Sequence, residues 1–590
     1  MGCPSRWEVT VNMAMYMRCL GRLRCGACGF RFRVFSDGKR CSTSKVVRKP
    51  EVLPESKRQG TCQRKTFVQE QADRLEQANN SILIKCPQKV NQHQLLKSLE
   101  RHGNIAHYHF FEPFKTMLLL QFERRDGVLS VQQSCNMPRP GKRFLLPNRS
   151  RFLLMSKHND EFPDKRSAEN ERPHNLLQML KDHSNVDGQL EGLVQHMQLT
   201  EEDIRLRFLV CSLLQDLCTA ILPSVQIQPF GSSVNLFGRV GCDLDMFLDL
   251  GNLNIERKRT RVQRDSSLEF QVKMFRCERV ATQTILSVVG NLLQHISPSF
   301  DSIQKVLNAR CPVLRFCHSP SNLNCDLTAS NRIALCMSET LNAFAQVDAR
   351  VRPLVFAIRC WARAQNLTST VSGAWITNFS LTLLVLFFLQ QCSPSVIPTI
   401  SHLRKLADRI DHRVIDSVNC TIVSDLSKIT PSNNKQSLED LLHGFFDFYG
   451  SFPFQKKSIN IRTGQVQRRS DDSPMEIINP FEENLNVSKN VNKRQLLHFV
   501  ELSQNASLKL EKQHQLSSNQ SWGLMTLLQH GPTQQARATD GAASIHPTPK
   551  VERFTDLFHS LWSTKQGNPE AKQQTGNSSP PESKQKGQSE

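Results

Sequence analysis

The sequence predicts an α+β fold in several domains, and three features of it do so. A strand–helix–strand–strand pattern fills residues 81–122, a Gly-Ser turn leads into an Asp-x-Asp strand within 226–250, and apolar runs of helical spacing dominate after residue 346. At 590 residues the chain is too long for one core and long enough for about three or four domains. Its 75 Lys and Arg against 54 Asp and Glu give a net charge of +21, which points to a phosphate-rich partner. The most apolar stretch, 379–389, is about 11 residues, the length of a buried helix and too short for a membrane span, so no membrane insertion is expected. The 19 cysteines are scattered singly in apolar contexts and include one CxxC, Cys25 to Cys28. That usage fits a reducing compartment, with neither a disulfide framework nor a structural zinc site.

Residues 1–50 carry eleven Lys and Arg against Glu8 and Asp37, with apolar residues interleaved and no acid between Met13 and Phe35. An arginine-rich, acid-poor amphipathic leader is the pattern of an organelle transit peptide, so a mitochondrial matrix destination is expected. The next ordered segment starts at a β-branched run, 81–86. Leu95, Leu96 and Leu99 then lie at helical spacing before the stop at Gly103, and 104–111 and 116–122 read as two more strands. This resembles the first part of an RNA-recognition-motif fold, which stacks bases on aromatics of its first and third strands. Here those positions fall on Leu83, Met117 and Leu119, all without an aromatic ring. A module over 75–130 that packs on protein and supports a homodimer is expected. Residues 124–175 read as a polar connection.

The chemistry concentrates in 226–250. Gly231-Ser232-Ser233 follows a strand-like run, and a small-residue turn there exposes backbone N–H groups and hydroxyls toward phosphate. Ten residues on, Asp243-Leu244-Asp245 opens an apolar strand. Side chains alternate along a strand, so the two carboxylates project from one face about 7 Å apart and repel unless a cation lies between them. Carboxylate and phosphate oxygens suit Mg²⁺, and two such ions clamp an in-line displacement. A third carboxylate is expected on a neighbouring strand. Residues 309–316 read as one strand, 319–322 as a turn and 323–328 as the returning strand, which carries Asp326.

This constellation resembles the DNA polymerase β-like nucleotidyltransferases, specifically the noncanonical poly(A)/poly(U) polymerases, over most of 195–500. Gly231-Ser232 with Asp243, Asp245 and Asp326 resembles their palm carboxylate set. Arg352 to Arg363 looks like the helix that points a base at the triphosphate, 373–390 resembles the helix of the central domain, and 441–464 the nucleotide-recognition segment. Asn479-Pro480-Phe481 with Asn486 resembles the closing loop. The sequence departs from the family at Cys242 for Ser, Arg359 for Lys, Asn378-Phe379 for Ser-Tyr, and Ser338-Glu339 for Asn-Thr.

The resemblance implies a palm over 195–345 and a mostly helical central domain over 346–500. It also implies Mg²⁺ (or Mn²⁺) on Asp243, Asp245 and Asp326. Nucleotide contacts would come from Gly231, Ser232, Gly241, Cys242, Arg359, Asn378 and Phe379. With the basic leader, it implies a template-independent adenylyltransferase that adds AMP from ATP to the 3′ ends of mitochondrial RNAs. A terminal uridylyltransferase is the alternative of the same class. It is disfavoured by the absence of His between Phe445 and Asn490, where uridylyl-selective relatives often carry one. An inactive RNA- or protein-binding scaffold is the alternative of another class, disfavoured by three carboxylates for which it has no use. Residues 505–590, rich in Gln, Ser, Asn and Lys, read as a mostly disordered tail with one amphipathic patch at 554–562.

Overall fold

The computed structural model describes residues 65–136, 150–155, 172–250, 277–369, 373–512 and 522–528, apart from breaks at 88–89, 112–115, 223 and 297–298. The basic leader and the 554–562 patch lie outside the described residues.

The helix Phe67–Asn79 is started by a capping box in which Thr66 and Gln69 satisfy each other's backbone N–H. It leads into β1 (Ser81–Lys85). The helix Gln92–Leu99 and strands β2 (Ile105–Phe111) and β3 (Met117–Phe122) follow, with spans close to those expected. The 124–175 connection contains more order than its polar composition implies: the helix Arg125–Ser134 and strand β4 (Phe152–Leu154) both belong to the module. The sheet runs β2-β3-β1-β4, with β1 antiparallel to β3 and parallel to β4. Period-2 alternation divides its residues. Ile82, Ile84, Leu118 and Leu120 face the module's own core with Leu99, Val128 and Val131.

Leu83 and Leu119, in register on neighbouring strands, face the other way. They are 0% and 1% exposed, in one cluster with Leu206, Leu209 and Val210 of the helix Glu201–Cys218. Met117 and Phe152 pack partly buried against that cluster, and the Phe152 ring meets His318 of the following domain edge-on at 6.5 Å. The aliphatic face therefore packs on protein, as expected, but the protein is this same chain. The surface read as a dimer contact is corrected in that respect, because it is already covered.

Arg151 closes this seam. Its guanidinium, 1% exposed, pairs with Asp216 at 2.7 Å and donates to the Ala78 carbonyl at 2.6 Å and to Ser212 Oγ at 2.5 Å.

The second sheet has five strands: β5 (Gln226–Pro229), β6 (Leu244–Asp249), β7 (Phe300–Val306), β8 (Val313–His318) and β9 (Leu323–Thr328), in the order β5-β6-β9-β8-β7. Only the β6–β9 pair is parallel. The β8–β9 turn ends on Asn322 at φ +51, a left-handed conformation that Asn tolerates. The helices Glu201–Cys218 and Glu278–Ile296 supply Leu213, Leu214, Leu286, Val289 and Leu293 to the core beneath this sheet.

The remaining core is helical. The Asn378–Gln391 helix is buried from Ser380 through Gln390, as its predominantly apolar stretch predicts. It packs with Val351–Ala364 and Leu438–Ser451, the latter also carrying Lys493–Lys512, and Trp361 meets Phe446 edge-on at 4.7 Å. Phe445 and Phe446 are core residues, as their spacing suggests, and Phe448 is half-buried against them. Two small hairpins, β10 (Val414–Ile415) with β11 (Val418–Asn419) and β12 (Lys457–Asn460) with β13 (Gln465–Arg468), sit on this layer.

The tail reading needs a correction at its start. Ala506 and Leu510 extend the buried stripe of Leu496 and Phe499 to the end of the helix at Lys512. The short helix Leu524–Leu528 buries Leu524, Met525 and Leu527 in the same core. Composition concealed these residues because a few apolar side chains at helical spacing suffice to dock a polar segment. Among the described residues, no helix is long and apolar enough to cross a membrane.

Candidate active site

The register of the second sheet brings the carboxylates together. Asp245 on β6 lies directly beside Asp326 on β9, and Arg315 on β8 lies on the far side of Asp326, so the three project from one face. Asp243, one residue before β6, is exposed at the rim. Burial first, then the neighbouring Asp326 and Asp243, pushes the Asp245 carboxyl up to about 7. Asp326 is also raised by burial, opposed by Arg315, whose Nε reaches its Oδ2 at 3.2 Å.

Above this face, Gly231–Ser233 forms a single 3-10 turn that follows β5. Gly231 sits at φ +64, and a Cβ there would lie 2.8 Å from Asp245 Oδ2. Glycine is demanded twice, by the left-handed backbone and by the carboxylate passing beneath it. Gly238 closes the loop the same way: a Cβ there would strike the Ser232 carbonyl.

The Gly231 N–H does not face outward. It donates to Ser338 Oγ at 2.8 Å, and Ser338 in turn donates to the Ala334 carbonyl at 2.7 Å. Glu339 beside it is 8% exposed and pairs with Arg413 at 2.6 Å. The Ser338-Glu339 departure thus falls on residues that brace the turn and the adjoining helix. Ser232 Oγ donates to Cys242 Sγ at 3.3 Å, which ties the turn to the residue before Asp243. Gly241, at φ +80, has open space where a side chain would be.

Two arginines that sequence reasoning did not single out hold this loop. Arg207, 2% exposed on the Glu201–Cys218 helix, donates to Ser233 Oγ at 3.1 Å, to the Asp243 carbonyl at 3.0 Å and to the Cys242 carbonyl at 2.6 Å. Its only signal in the sequence is one charge inside the apolar run 206–210. Arg352 donates to the Leu236 carbonyl at 3.2 Å and to Gln198 Oε1 at 2.7 Å.

Arg359, seven residues further along the same helix, behaves alike. Its Nη1 donates to the Phe237 carbonyl at 2.8 Å and its Nη2 to Thr382 Oγ1, with the guanidinium 5.6 Å from the Phe237 ring centroid. Burial and the nearby Arg239 lower it to about 10, with the Cys242 thiol opposing them. Asn378 is exposed at the first turn of its helix, where its carbonyl accepts from Thr382 Oγ1 at 2.7 Å. Phe379 is half-buried on the helical core.

The donor set suits a hard divalent cation. It consists of carboxylate oxygens, one of them raised to about 7 by burial and then by two like charges, which a bound cation would offset. Among the described residues no three His, Cys, Asp or Glu side chains close into a metal cage. An open carboxylate rim is what Mg²⁺ uses when substrate phosphates and waters complete its shell.

Comparison with known proteins follows the same division of the chain. Residues 186–346 match the model of the mitochondrial-like poly(A) RNA polymerase central palm domain, 66–136 that of the RL domain, and 437–488 that of the Cid1 family poly A polymerases. The chain is 45% identical over 476 residues to a human protein named Poly(A) RNA polymerase, mitochondrial, a match that spans 79% of this chain and 81% of that one. The mouse protein of the same name matches at 45% over 478 residues, with 79% and 81% covered. Among solved structures, mtPAP in complex with ATPγS superposes with a TM-score of 0.72 at 43% identity, over 79% of this chain and 99% of that one.

Proposed function

The chain belongs to the mitochondrial poly(A) RNA polymerase family, and from that premise we propose which residues carry its chemistry. The protein is a polynucleotide adenylyltransferase, a nucleotidyltransferase that extends RNA 3′ ends with AMP from ATP without a template. It is a mitochondrial protein. The observation that carries the residue-level reading is the side-by-side register of Asp245 and Asp326 beneath the Gly231–Ser233 turn.

In this reading Asp243, Asp245 and Asp326 would hold Mg²⁺ (or Mn²⁺). The bound cation supplies charge neutralisation at the triphosphate and lowers the pKa of the RNA 3′-hydroxyl. Asp326, on the same rim, assists removal of that hydroxyl's proton once its bond to Arg315 is released. Ser232 and the Cys242 segment line the phosphate side, while Arg207 and the inward Gly231 N–H keep the turn in one geometry. Half-buried Phe379 and exposed Asn378 would meet the nucleoside. The 3′ oxygen attacks the α-phosphorus, the α–β anhydride bond breaks, and pyrophosphate leaves with its electron pair. The protein contributes positioning and fixed charge, with no covalent intermediate.

Extension of a labelled RNA by the full chain with Mg²⁺ and each ribonucleotide alone tests the base choice. A long ladder with ATP, and products at least about tenfold shorter or fewer with UTP, is expected; a ladder chiefly from UTP would move the protein to the uridylyltransferases. A tenfold preference corresponds to about 1.4 kcal/mol between the two bases.

We further propose the matrix as the site of action, reached through the 1–50 leader, and a homodimer formed through the module. Because the Leu83 and Leu119 face is covered, the module offers instead its outer strand β2, unpaired on one side among the described residues and carrying Tyr108 at 51% exposure. An unpaired edge is a template for the same strand of a second copy. Light scattering should give a dimer mass for the native chain and a monomer mass for Tyr108→Asp. A native monomer at micromolar concentration would rule this contact out.

A further inference from the structure

The sheet that carries the carboxylates continues for two strands beyond them. The Gly231–Ser233 turn follows β5 and stands over Asp245, whereas β8 and β7 extend past Asp326 on the other side. A nucleotide held at the turn therefore leaves the β8 side open to the RNA whose 3′ oxygen must reach Asp326. Arg315 lies on that side, in register with Asp326 on one flank and with the exposed Gln304 of β7 on the other.

Two arginines at this edge are occupied by carboxylates of the protein, and loosely. Arg315, 54% exposed, gives Asp326 Oδ2 its Nε at 3.2 Å, the one bond its side chain makes among the described residues. Arg310, in the turn between β7 and β8 and 69% exposed, faces Glu482 of the 479–486 loop at 3.7 Å, too long for a hydrogen bond. The backbones behind this second pair are fixed. Arg279 donates to the carbonyls of Asn308, Ala309 and Arg310 at 3.2, 2.8 and 3.1 Å, and the Glu482 N–H donates to Asn479 Oδ1 at 3.1 Å. Held loops thus present side chains whose mutual pairing, being exposed, contributes little. A phosphodiester offers the same guanidinium groups equivalent anionic oxygens and releases its condensed counterions on binding. The two arginines are five residues apart, at most about 18 Å along the chain, so one RNA strand reaches both.

We propose that RNA binds here by exchange of partners: its last phosphodiester takes Arg315 from Asp326, and a phosphate further upstream takes Arg310 from Glu482. The proposal rests on the polymerase reading above and names the residues through which that site holds its RNA. The exchange releases Asp326 toward the cation and the 3′-hydroxyl only when an RNA end is in place. It also opens the contact between the palm and the 479–486 loop along the path the RNA takes.

The test measures anisotropy of a labelled single-stranded RNA on the full chain, in chelator and at several KCl concentrations, beside extension kinetics with ATP and Mg²⁺. Arg315→Gln and Arg310→Gln are each expected to weaken RNA binding about 3- to 10-fold and to lower the slope of log affinity against log salt by about 0.7, the share of one single-strand phosphate. KM for RNA should rise in step, with KM for ATP held within about twofold. Arg315→Lys should keep the native slope, because the charge is kept. Glu482→Gln should act in reverse and tighten RNA about 2- to 5-fold, since it removes the competitor of the phosphate. All four variants should melt with the native protein, because both pairs are exposed. Native affinity and slope in Arg315→Gln overturn the exchange at Asp326, and unchanged or weaker RNA binding by Glu482→Gln overturns it at the loop, in either case while the native chain still extends RNA. A native chain that neither binds RNA nor extends it with any ribonucleotide overturns the polymerase reading and this assignment with it.

Discussion

Replacement of Asp245 by Asn is expected to lower nucleotide incorporation by at least about 10³-fold while leaving the fold intact. Asp245 is the carboxylate most enclosed by its neighbours, with Gly231 above it and Asp326 beside it. An amide keeps the shape but loses the charge that a divalent cation needs, and loss of one preorganised electrostatic contact costs about 10²–10³ in rate in comparable sites. The cost is greater where the contact is to a metal that holds substrate and nucleophile together.

Stability should move the other way. The folded-state pKa of about 7 lies above the ordinary aspartate value, so the native state without metal binds this proton more tightly than the unfolded chain. That stabilisation is complete below about pH 4, the pKa in the unfolded chain, and is lost as pH rises to about 7. In a chelator, the native protein should therefore melt progressively below Asp245→Asn as pH is raised from 5 to 8. Mg²⁺ should restore the native protein and leave the variant unmoved. Incorporation within tenfold of native, or a melting difference indifferent to pH and metal, would remove Asp245 from the metal site.

The largest expected loss of stability lies elsewhere, at Arg151→Ala. This guanidinium is enclosed between the module and the Glu201–Cys218 helix, bonded to Asp216, Ser212 and the Ala78 carbonyl. Its removal leaves those groups facing a cavity in which one of them is a charge. Loss of one member of a buried pair costs about 3–5 kcal/mol, and about 3 is expected here because Asp216 keeps 34% of its side chain in water. Denaturant unfolding of Arg151→Ala should show the lower midpoint, and Arg151→Met with Asp216→Leu should recover a large part of it, since an apolar pair strands no charge. A midpoint equal to that of the native chain would mean that the seam contributes nothing.

Local chemistry in the sequence was informative where it is tied to short-range geometry. Asp243 and Asp245 two residues apart, Gly231 before them and Asp326 on a returning strand are legible because turns and alternation act over a few residues. The helix at 378–391, buried from Ser380 through Gln390, announces itself by its apolar stretch for the same reason. Arg207 and Arg151 were not legible: each is one arginine whose partners are backbone carbonyls or residues some 26 to 73 positions away. No local pattern encodes such a pairing.

The bonds that Arg359 makes within the protein were not legible for a related reason. A residue's helix and charge can be read in one dimension, whereas whether its donors are already engaged depends on a loop about 120 residues earlier. Leu83, Met117 and Leu119 were read correctly as a face that meets protein; which protein covers it is a matter of tertiary closure.

That closure means the N-terminal module is not a portable cassette. Leu83 and Leu119 share one interior with Leu206, Leu209 and Val210, so an exchange of the module for an RNA-recognition-motif domain would expose part of the catalytic domain's core instead of adding a binding surface. Aromatic residues at the old stacking positions would act as wedges in a closed joint. The face that in an RNA-recognition-motif fold would stack bases is here part of a wall between two domains, and aromatic substitutions there are the ones its position tolerates least.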